Sequence, residues 1–451
     1  MDRRHFFASL AGPALAASTS QAQTSAAQRQ PNVLFILFDK CRRDAFGAYG
    51  VRKVHTPNID WLAETGTRFA NCYTPQALCS PARASILTGA FPHAHGVQRN
   101  VYPVASPDYS LNPSRFDEAV PDPFRDPRFR LAHNWAYYLN AAGYYTAQIG
   151  KWHLGPNNPG FFDYFKGFNS LLHHWTGKPH ESPYRPDVHT GLGAGFIDKH
   201  AGSPFFLQQS YYPPHGPDDP PKEYLKYYEG EEHPEYYAAV SNLDWNVGRL
   251  LDALRRNKIL DETLIIVTTE HGRTWTNRPG STEGMCVAYE ESARIPLIIR
   301  YPKLFPQGKV WNSGVSLVDL MPTILEATDV TPASAAKMQG RSLIGLVRSG
   351  QDRWDRPIVI ENVPQRAIDD SFYEERAIRD ERYKLILRNY AVRPNFRPGE
   401  LYDLRNDSGE GNNVYSSNPQ VVRHLAESLM AWGQENEDPR SIQLAAWVLD
   451  Q

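Results

Sequence analysis

The stretch Leu78-Cys79-Ser80-Pro81-Ala82-Arg83-Ala84-Ser85-Ile86-Leu87-Thr88-Gly89 joins a sulfur nucleophile, a cation four residues on and the signals of a helix start. Ser80 reads as the N-cap of a helix that Pro81 begins, which sets Cys79 among unpaired N–H groups at the positive end of the helix dipole. A thiol so placed is acidified, and an anionic ester can dock beside it. A buried core cysteine is the bland alternative; the polar, capped setting argues against it. Further polar clusters able to do chemistry are Asp39-Lys40, Lys151 with His153, His215, and Glu270-His271-Gly272-Arg273. Each residue alone reads as an ordinary hydrogen-bonded loop histidine or solvated charge. What distinguishes them is a shared position in the chain.

Each cluster follows a strand candidate. Asn32 to Phe38 (NVLFILF) is a continuous apolar run of strand length, as expected of a strand covered on both faces. Tyr144 to Ile149 leads into Lys151, Pro204 to Tyr212 into His215, and Leu264 to Thr269 into Glu270. Helical patterns lie between them: Thr56 as N-cap and Pro57 at N1 open one that runs through Phe69, and Glu235 to Lys258 repeats Val240, Leu243, Val247, Leu250, Leu251 and Leu254 on one face. The predicted fold is α/β, a large mixed, mostly parallel sheet sandwiched by helices. Ligands of such sheets bind beyond the carboxyl ends of the strands, so the clusters should converge on one crevice.

Long irregular stretches, Tyr102 to Arg130, Phe161 to Gly195, Pro213 to Pro221 and Arg273 to Met285, would wall that crevice. Near Arg353 the pattern changes. Arg376 to Leu387 and Leu401 to Leu404 read as short antiparallel strands, and Asn418 with Pro419 opens a closing helix with Val422, Leu425, Leu429 and Trp432 inward. The expected organisation is an export signal and linker over 1–30, a catalytic domain over 31–352 and a smaller C-terminal α+β subdomain, a short antiparallel sheet plus helix, over 353–451.

The 451 residues are 41% apolar and 22% charged, enough to bury a large core. Lys plus Arg number 48 against 50 Asp plus Glu, a net charge of −2 that argues against a nucleic-acid partner. Beyond Ala17 no apolar run approaches the roughly 20 residues that cross a bilayer, so no stable membrane insertion is expected. Arg3-Arg4-His5-Phe6-Phe7 followed by small apolar residues reads as a twin-arginine export signal, which predicts a periplasmic protein. Cys41, Cys72 and Cys286 lack metal-site spacing and read as structural.

Cys-Ser-Pro-Ala-Arg followed by Leu-Thr-Gly resembles the signature of the type I sulfatases, members of the alkaline phosphatase-like superfamily, whose cysteine is oxidised to formylglycine after synthesis. The likeness extends in order through PNVLFILFD, HTPNIDWLAETGTRF, LTGAFPHAHGV, AGYYTAQIGKWHLG, YYPPH, SNLDWNVGRLLDAL, YEESARIPLII and the RYKLI…LYDL tail. It implies a sulfuric ester hydrolase that cleaves an organic sulfate monoester, a small molecule or a carbohydrate, after maturation by a formylglycine-generating enzyme. It also implies roles for individual residues. Cys79 supplies the formylglycine, whose hydrate attacks sulfur with one hydroxyl and expels sulfate through the other. Arg83 and Lys151 stabilise the hydrate and substrate oxygens, His153 assists deprotonation, and His215 meets the leaving oxygen as a general acid.

The chain departs from the family at the cation site. Members commonly place paired acids at the first strand end and Asp with Asn or His at the later one, around calcium; here the pairs are Asp39-Lys40 and Glu270-His271. Asp39, Glu270 and His271 remain as ligands if a metal is retained. Lys40, at about 4 Å from a divalent ion and an effective dielectric near 20, would add roughly 8 kcal/mol of repulsion, close to six decades of affinity. Calcium is therefore disfavoured, and a metal-independent site is expected, with Lys40, Arg273 and His271 binding substrate. A family lysine before the Tyr289-Glu290-Glu291-Ser292 segment is also missing. Two other functions compete: a phosphonate or phosphate ester hydrolase of the same superfamily, and a degenerate, non-catalytic binding protein.

Overall fold

In the computed structural model, which describes residues 30–450 apart from 51–53, 102–122, 127–128, 156, 171, 276–277, 279–283, 334–335, 364–373 and 390–398, the run Asn32–Phe38 is the strand β1, buried throughout. The export-signal reading of residues 1–29 and most of the Tyr102–Arg130 loop lie outside the described residues. Because β1 alternates between two covered faces, Val33, Phe35 and Leu37 pack into one apolar core while Leu34, Ile36 and Phe38 pack into another. Val240, Leu243, Val247, Leu250, Leu251 and Leu254 of the helix Pro234–Arg256 fill the second core, as their spacing predicts.

Seven more strands complete the main sheet: β2 (Thr67–Tyr73), β3 (Tyr145–Lys151), β4 (Tyr164–Phe168), β5 (Phe205–Ser210), β6 (Thr263–Thr269), β7 (Arg294–Arg300) and β8 (Lys309–Ser316). Their order is β4-β3-β5-β1-β6-β7-β2-β8. The five strands from β4 to β6 are parallel, and β7 runs antiparallel to both β6 and β2. The fold class is the mixed, mostly parallel α/β sheet expected. Leu37 and Gly150 both pair with Ser210, and Phe38 pairs with Thr269, so β1, β3, β5 and β6 end at one level. The residues that follow leave the sheet along one edge.

The helix expected from Thr56 through Phe69 is shorter. It spans Pro57–Glu64, and Thr67 onward is β2. Gly66 makes the break, since a Cβ there would meet the Ile299 and Leu62 carbonyl oxygens at 2.6 and 2.7 Å. Beyond it, pairing with β7 overrides the helical pattern.

A second, antiparallel sheet is built from β9 (Ile358–Asn362), β10 (Glu375–Arg379), β11 (Tyr383–Arg388) and β12 (Gly399–Asp403), in the order β12-β11-β10-β9. Val359, Ile378, Leu385, Leu387 and Leu401 pack against Val422, Leu425 and Leu429 of the helix Pro419–Glu435. Trp432 is half-buried, its ring edge-on to Phe91 at 4.9 Å. A further helix, Pro439–Leu449, is capped by Asp438, whose carboxylate accepts from the Arg440 and Ser441 N–H groups. No helix among the described residues is long and apolar enough to cross a membrane.

Gly150 has φ of 90°, and a Cβ there would lie 1.8 Å from the Ser210 carbonyl oxygen. Gly143 has a similar φ of 89° with nothing within 4 Å. Gly143→Ala should therefore cost only the backbone strain, about 1 kcal/mol, while Gly150→Ala must also part β3 from β5 and should cost about 3 kcal/mol or more. Urea unfolding of the two variants measures the difference, and equal midpoints would contradict the close strand approach.

Candidate active site

Cys79 begins the helix Cys79–Thr88, all of whose residues are buried, and Leu78 is its N-cap. The cap therefore falls earlier than the sequence predicts. Ser80 lies inside the first turn, and Pro81 is the third helical residue, where its missing N–H leaves nothing unsatisfied. Asn100 takes over the capping role from outside the helix: its Oδ1 accepts from the Ser80 N–H at 2.9 Å. The Ser80 hydroxyl donates to the His153 carbonyl at 2.6 Å and accepts from the Val101 N–H at 3.0 Å. The nucleophile helix is thus tied to the segment after β3.

Asp39, Lys40, Lys151, His153, Glu270 and His271 all leave the carboxyl ends of β1, β3 and β6, and all are buried. One Nη of Arg83 lies 3.3 Å from Asp39 Oδ2 and 3.3 Å from Glu270 Oε1; the other donates to Ser210 Oγ and to the Lys151 carbonyl, each at 2.8 Å. The Lys151 ammonium pairs with the same Asp39 oxygen and sits 4.5 Å from the Tyr212 ring centre. The Cys79 Sγ faces His271 Nε2 at 3.3 Å and Asp39 Oδ1 at 3.8 Å. His271 Nδ1 lies 2.8 Å from the Gly272 carbonyl; an N–H there leaves Nε2 as an acceptor toward residue 79.

These contacts set the protonation states. Burial alone would raise the Asp39 carboxyl, but Lys151, His215 and Arg83 outweigh it and hold it well below the usual range. Burial pushes Glu270 well up despite Arg83. The Cys79 thiol is not acidified as the sequence suggests: burial and then Asp39 raise it, against Lys151, Arg83 and Lys40. A desolvated thiol is a poor nucleophile. Burial and the neighbouring cations Lys151 and Arg83 push His153 well below the ordinary histidine value. His215 is half-buried, 4.9 Å from the Tyr212 ring, and is likewise held well down, by desolvation first and then by Lys40 and Lys151 against Asp39. It is therefore neutral until an anion arrives.

Arg273 departs from its expected place in the cation set: it pairs with Asp218 at 3.1 Å and lies 4.4 Å over the Trp275 ring. The sequence reading missed Asn100, Ser210 and Tyr212, which position the helix start, Arg83 and Lys151. Only Tyr212, inside Tyr211-Tyr212-Pro213-Pro214-His215, stood within a motif that could have found it. All four cysteines are buried thiols, none in a disulfide.

Two cofactors implied by the resemblance can be tested against these residues. Oxygens in place of the Cys79 sulfur would meet His271 Nε2 and Asp39, so formylglycine fits. For a divalent ion the donor atoms of Asp39, Cys79, Glu270 and His271 lie within 4.8 Å of one another. Their charges fit poorly. Asp39 Oδ2 is already held by Lys151 and Arg83, Glu270 Oε1 faces Arg83, and the positive charge of the buried Lys40 acts on Cys79 and His271.

A family model described as Sulfatase matches residues 31–330, and one described as N-sulphoglucosamine sulphohydrolase, C-terminal, matches 285–435. An arylsulfatase of Clostridium perfringens is 26% identical over 413 residues, covering 72% of this chain and 80% of its own. An ulvan-active sulfatase of Formosa agariphila is 25% identical and covers 91% of this chain and 81% of its own. The solved structure of Ps i-CgsB in complex with k-i-k-neocarrahexaose superposes with a TM-score of 0.73 at 25% identity, covering 93% of this chain and 98% of that one.

Arg83 is the cation common to Asp39 and Glu270. Arg83→Ala should leave both carboxylates buried beside each other and destabilise the fold by about 3–5 kcal/mol. Denaturant unfolding measures this, and a loss below about 1 kcal/mol would mean that the pairs are not formed.

Proposed function

Because the chain belongs to the sulfatase family, we propose that it acts as a sulfuric ester hydrolase through formylglycine made from Cys79, with the surrounding cations arranged for a sulfate monoester. The observation that carries this reading is the placement of Cys79 at a buried helix start, facing His271 and Asp39, with Arg83 and Lys151 bound to the same aspartate. Formylglycine, when hydrated, supplies a hydroxyl that attacks sulfur and a second whose deprotonation releases sulfate. The side chains around it serve those two steps.

Lys151 and Arg83, locked by Asp39, Ser210 and the strand ends, present fixed positive charge to the sulfuryl oxygens and need no reorganisation as negative charge grows. His153, kept neutral, takes a proton from residue 79. His215 gives a proton to the leaving oxygen. The sulfate anion raises its affinity for that proton on arrival, countering Lys40 and Lys151. His271 Nε2 accepts from residue 79 and orients it.

The substrate class we assign is a carbohydrate sulfate. Tyr212 packs beside His215 with ring centres 4.9 Å apart and meets His174 at 5.2 Å, an aromatic cluster suited to a sugar face. The relative described as ulvan-active and the neighbour in complex with k-i-k-neocarrahexaose support the same class. Arg3-Arg4-His5-Phe6-Phe7 supports delivery to the periplasm after modification in the cytoplasm.

Peptide mass spectrometry of the residue 79 segment, with matched sulfate, phosphate and phosphonate ester assays, tests the reading. The expected result is an aldehyde at residue 79, turnover favouring sulfate monoesters, and a loss of about 1000-fold or more in Cys79→Ala. Preference for a phosphonate or phosphate ester would establish the alternative hydrolase, and an unmodified thiol without turnover a binding protein.

The histidine shifts also fix a pH profile. His153 must be neutral and stays so below its ordinary value, while His215 must be protonated and loses its proton early. Both limbs of kcat/KM should therefore lie on the acid side of about 6.5. His153→Gln should remove the acidic limb and His215→Gln the basic one. An optimum above neutrality would contradict these roles.

A further inference from the structure

Lys40 stands apart from the steps assigned above, and its backbone is distinctive. It leaves β1 with φ of 58°, a left-handed conformation that residues with a Cβ avoid. The bend is pinned on both sides: the Tyr236 hydroxyl donates to the Lys40 carbonyl at 3.0 Å, and the next N–H, of Cys41, donates to Thr269 Oγ1 at 3.1 Å. His153 follows β3 in the same conformation, with φ of 56°. Both side chains are buried, Lys40 at 3% exposure and His153 at 1%. Two strand exits of one crevice thus each deliver a buried polar side chain through a left-handed residue.

Among the described residues, the charges grouped around residue 79 are three cations, Arg83, Lys151 and Lys40, and two carboxylates, Asp39 and Glu270. With both carboxylates ionised the excess is one positive charge, and protonation of Glu270, which burial favours, makes it two; in either state the crevice carries net positive charge for a sulfate monoester anion. A divalent ion would add two more positive charges among buried groups, with the attraction of Asp39 already committed to Lys151 and Arg83. An ammonium tethered to β1 offers three N–H donors and cannot dissociate.

We propose that the buried Lys40 ammonium takes the electrostatic place of a divalent cation, so that the crevice binds and cleaves its sulfate monoester without a bound metal. This rests on the formylglycine sulfatase reading, and Lys40 becomes the donor to a sulfuryl oxygen beside Asp39 and Glu270.

The test uses the full chain with its aldehyde content measured by mass spectrometry. After exhaustive dialysis against chelator, elemental analysis should find no stoichiometric calcium, magnesium, manganese or zinc. Tm should be unmoved by millimolar calcium, and turnover should be unchanged. Lys40→Asp should acquire a calcium-dependent rise in Tm and about one bound ion. Lys40→Met, which keeps the volume and removes the charge, should bind no metal and lose about 100-fold in kcat/KM without rescue by calcium.

The proposal is overturned by any of three results: about one equivalent of metal surviving dialysis in the unaltered chain, a Tm that falls on chelation and returns with calcium, or full activity in Lys40→Met. Should Lys40→Asp not fold, the Lys40→Met and unaltered-chain measurements decide. Should the unaltered chain cleave no sulfate ester, the functional reading fails, while metal content and Tm still judge the charge substitution.

Discussion

The carboxylate of Asp39 is the point on which the crevice turns. One of its oxygens holds both Lys151 and Arg83, and the other faces Cys79. Burial works against its ionisation, and those cations restore it. Without that anion, two buried cations would repel each other where nothing screens them. With it, they stay charged and fixed beside residue 79. Glu270, from the neighbouring strand, meets the same guanidinium, but there burial prevails and its carboxyl is pushed well up.

The main sheet makes this possible by ending its central parallel strands at one level. The register of β1 against β5 and β6 brings Leu37 beside Ser210 and Phe38 beside Thr269, and the two faces of its apolar run enter different cores. Gly150 lets β3 approach β5 closely enough for the Lys151 carbonyl and the Ser210 hydroxyl to share one nitrogen of Arg83. The nucleophile helix is fastened at its start by Asn100 and by the Ser80 hydroxyl on the His153 carbonyl. Sheet and helix therefore meet as one rigid frame.

Much of this was legible in the sequence because the determinants are local. The strands ahead of Asp39, Lys151, His215 and Glu270 announce themselves by apolar runs, and the helix over Pro234–Arg256 by its periodic leucines and valines. What was not legible depends on distant partners. The early end of the helix at Glu64 follows from Gly66 packing under the Ile299 carbonyl. The helix cap before Cys79 follows from Asn100, and the raised thiol from the depth of its burial rather than from the helix dipole. Arg273, plausible beside His271 in the chain, is drawn off by Asp218 and Trp275. Side chains compete for partners only in three dimensions.

Cys79 is 1% exposed, with the strand ends above it and its helix buried on every side. On the proposed formylglycine reading, a modifying enzyme would have to reach a sulfur that the folded chain covers. Oxidation would then precede tertiary packing, while the Leu78–Arg83 stretch is still unfolded, and maturation would compete with folding for the same segment.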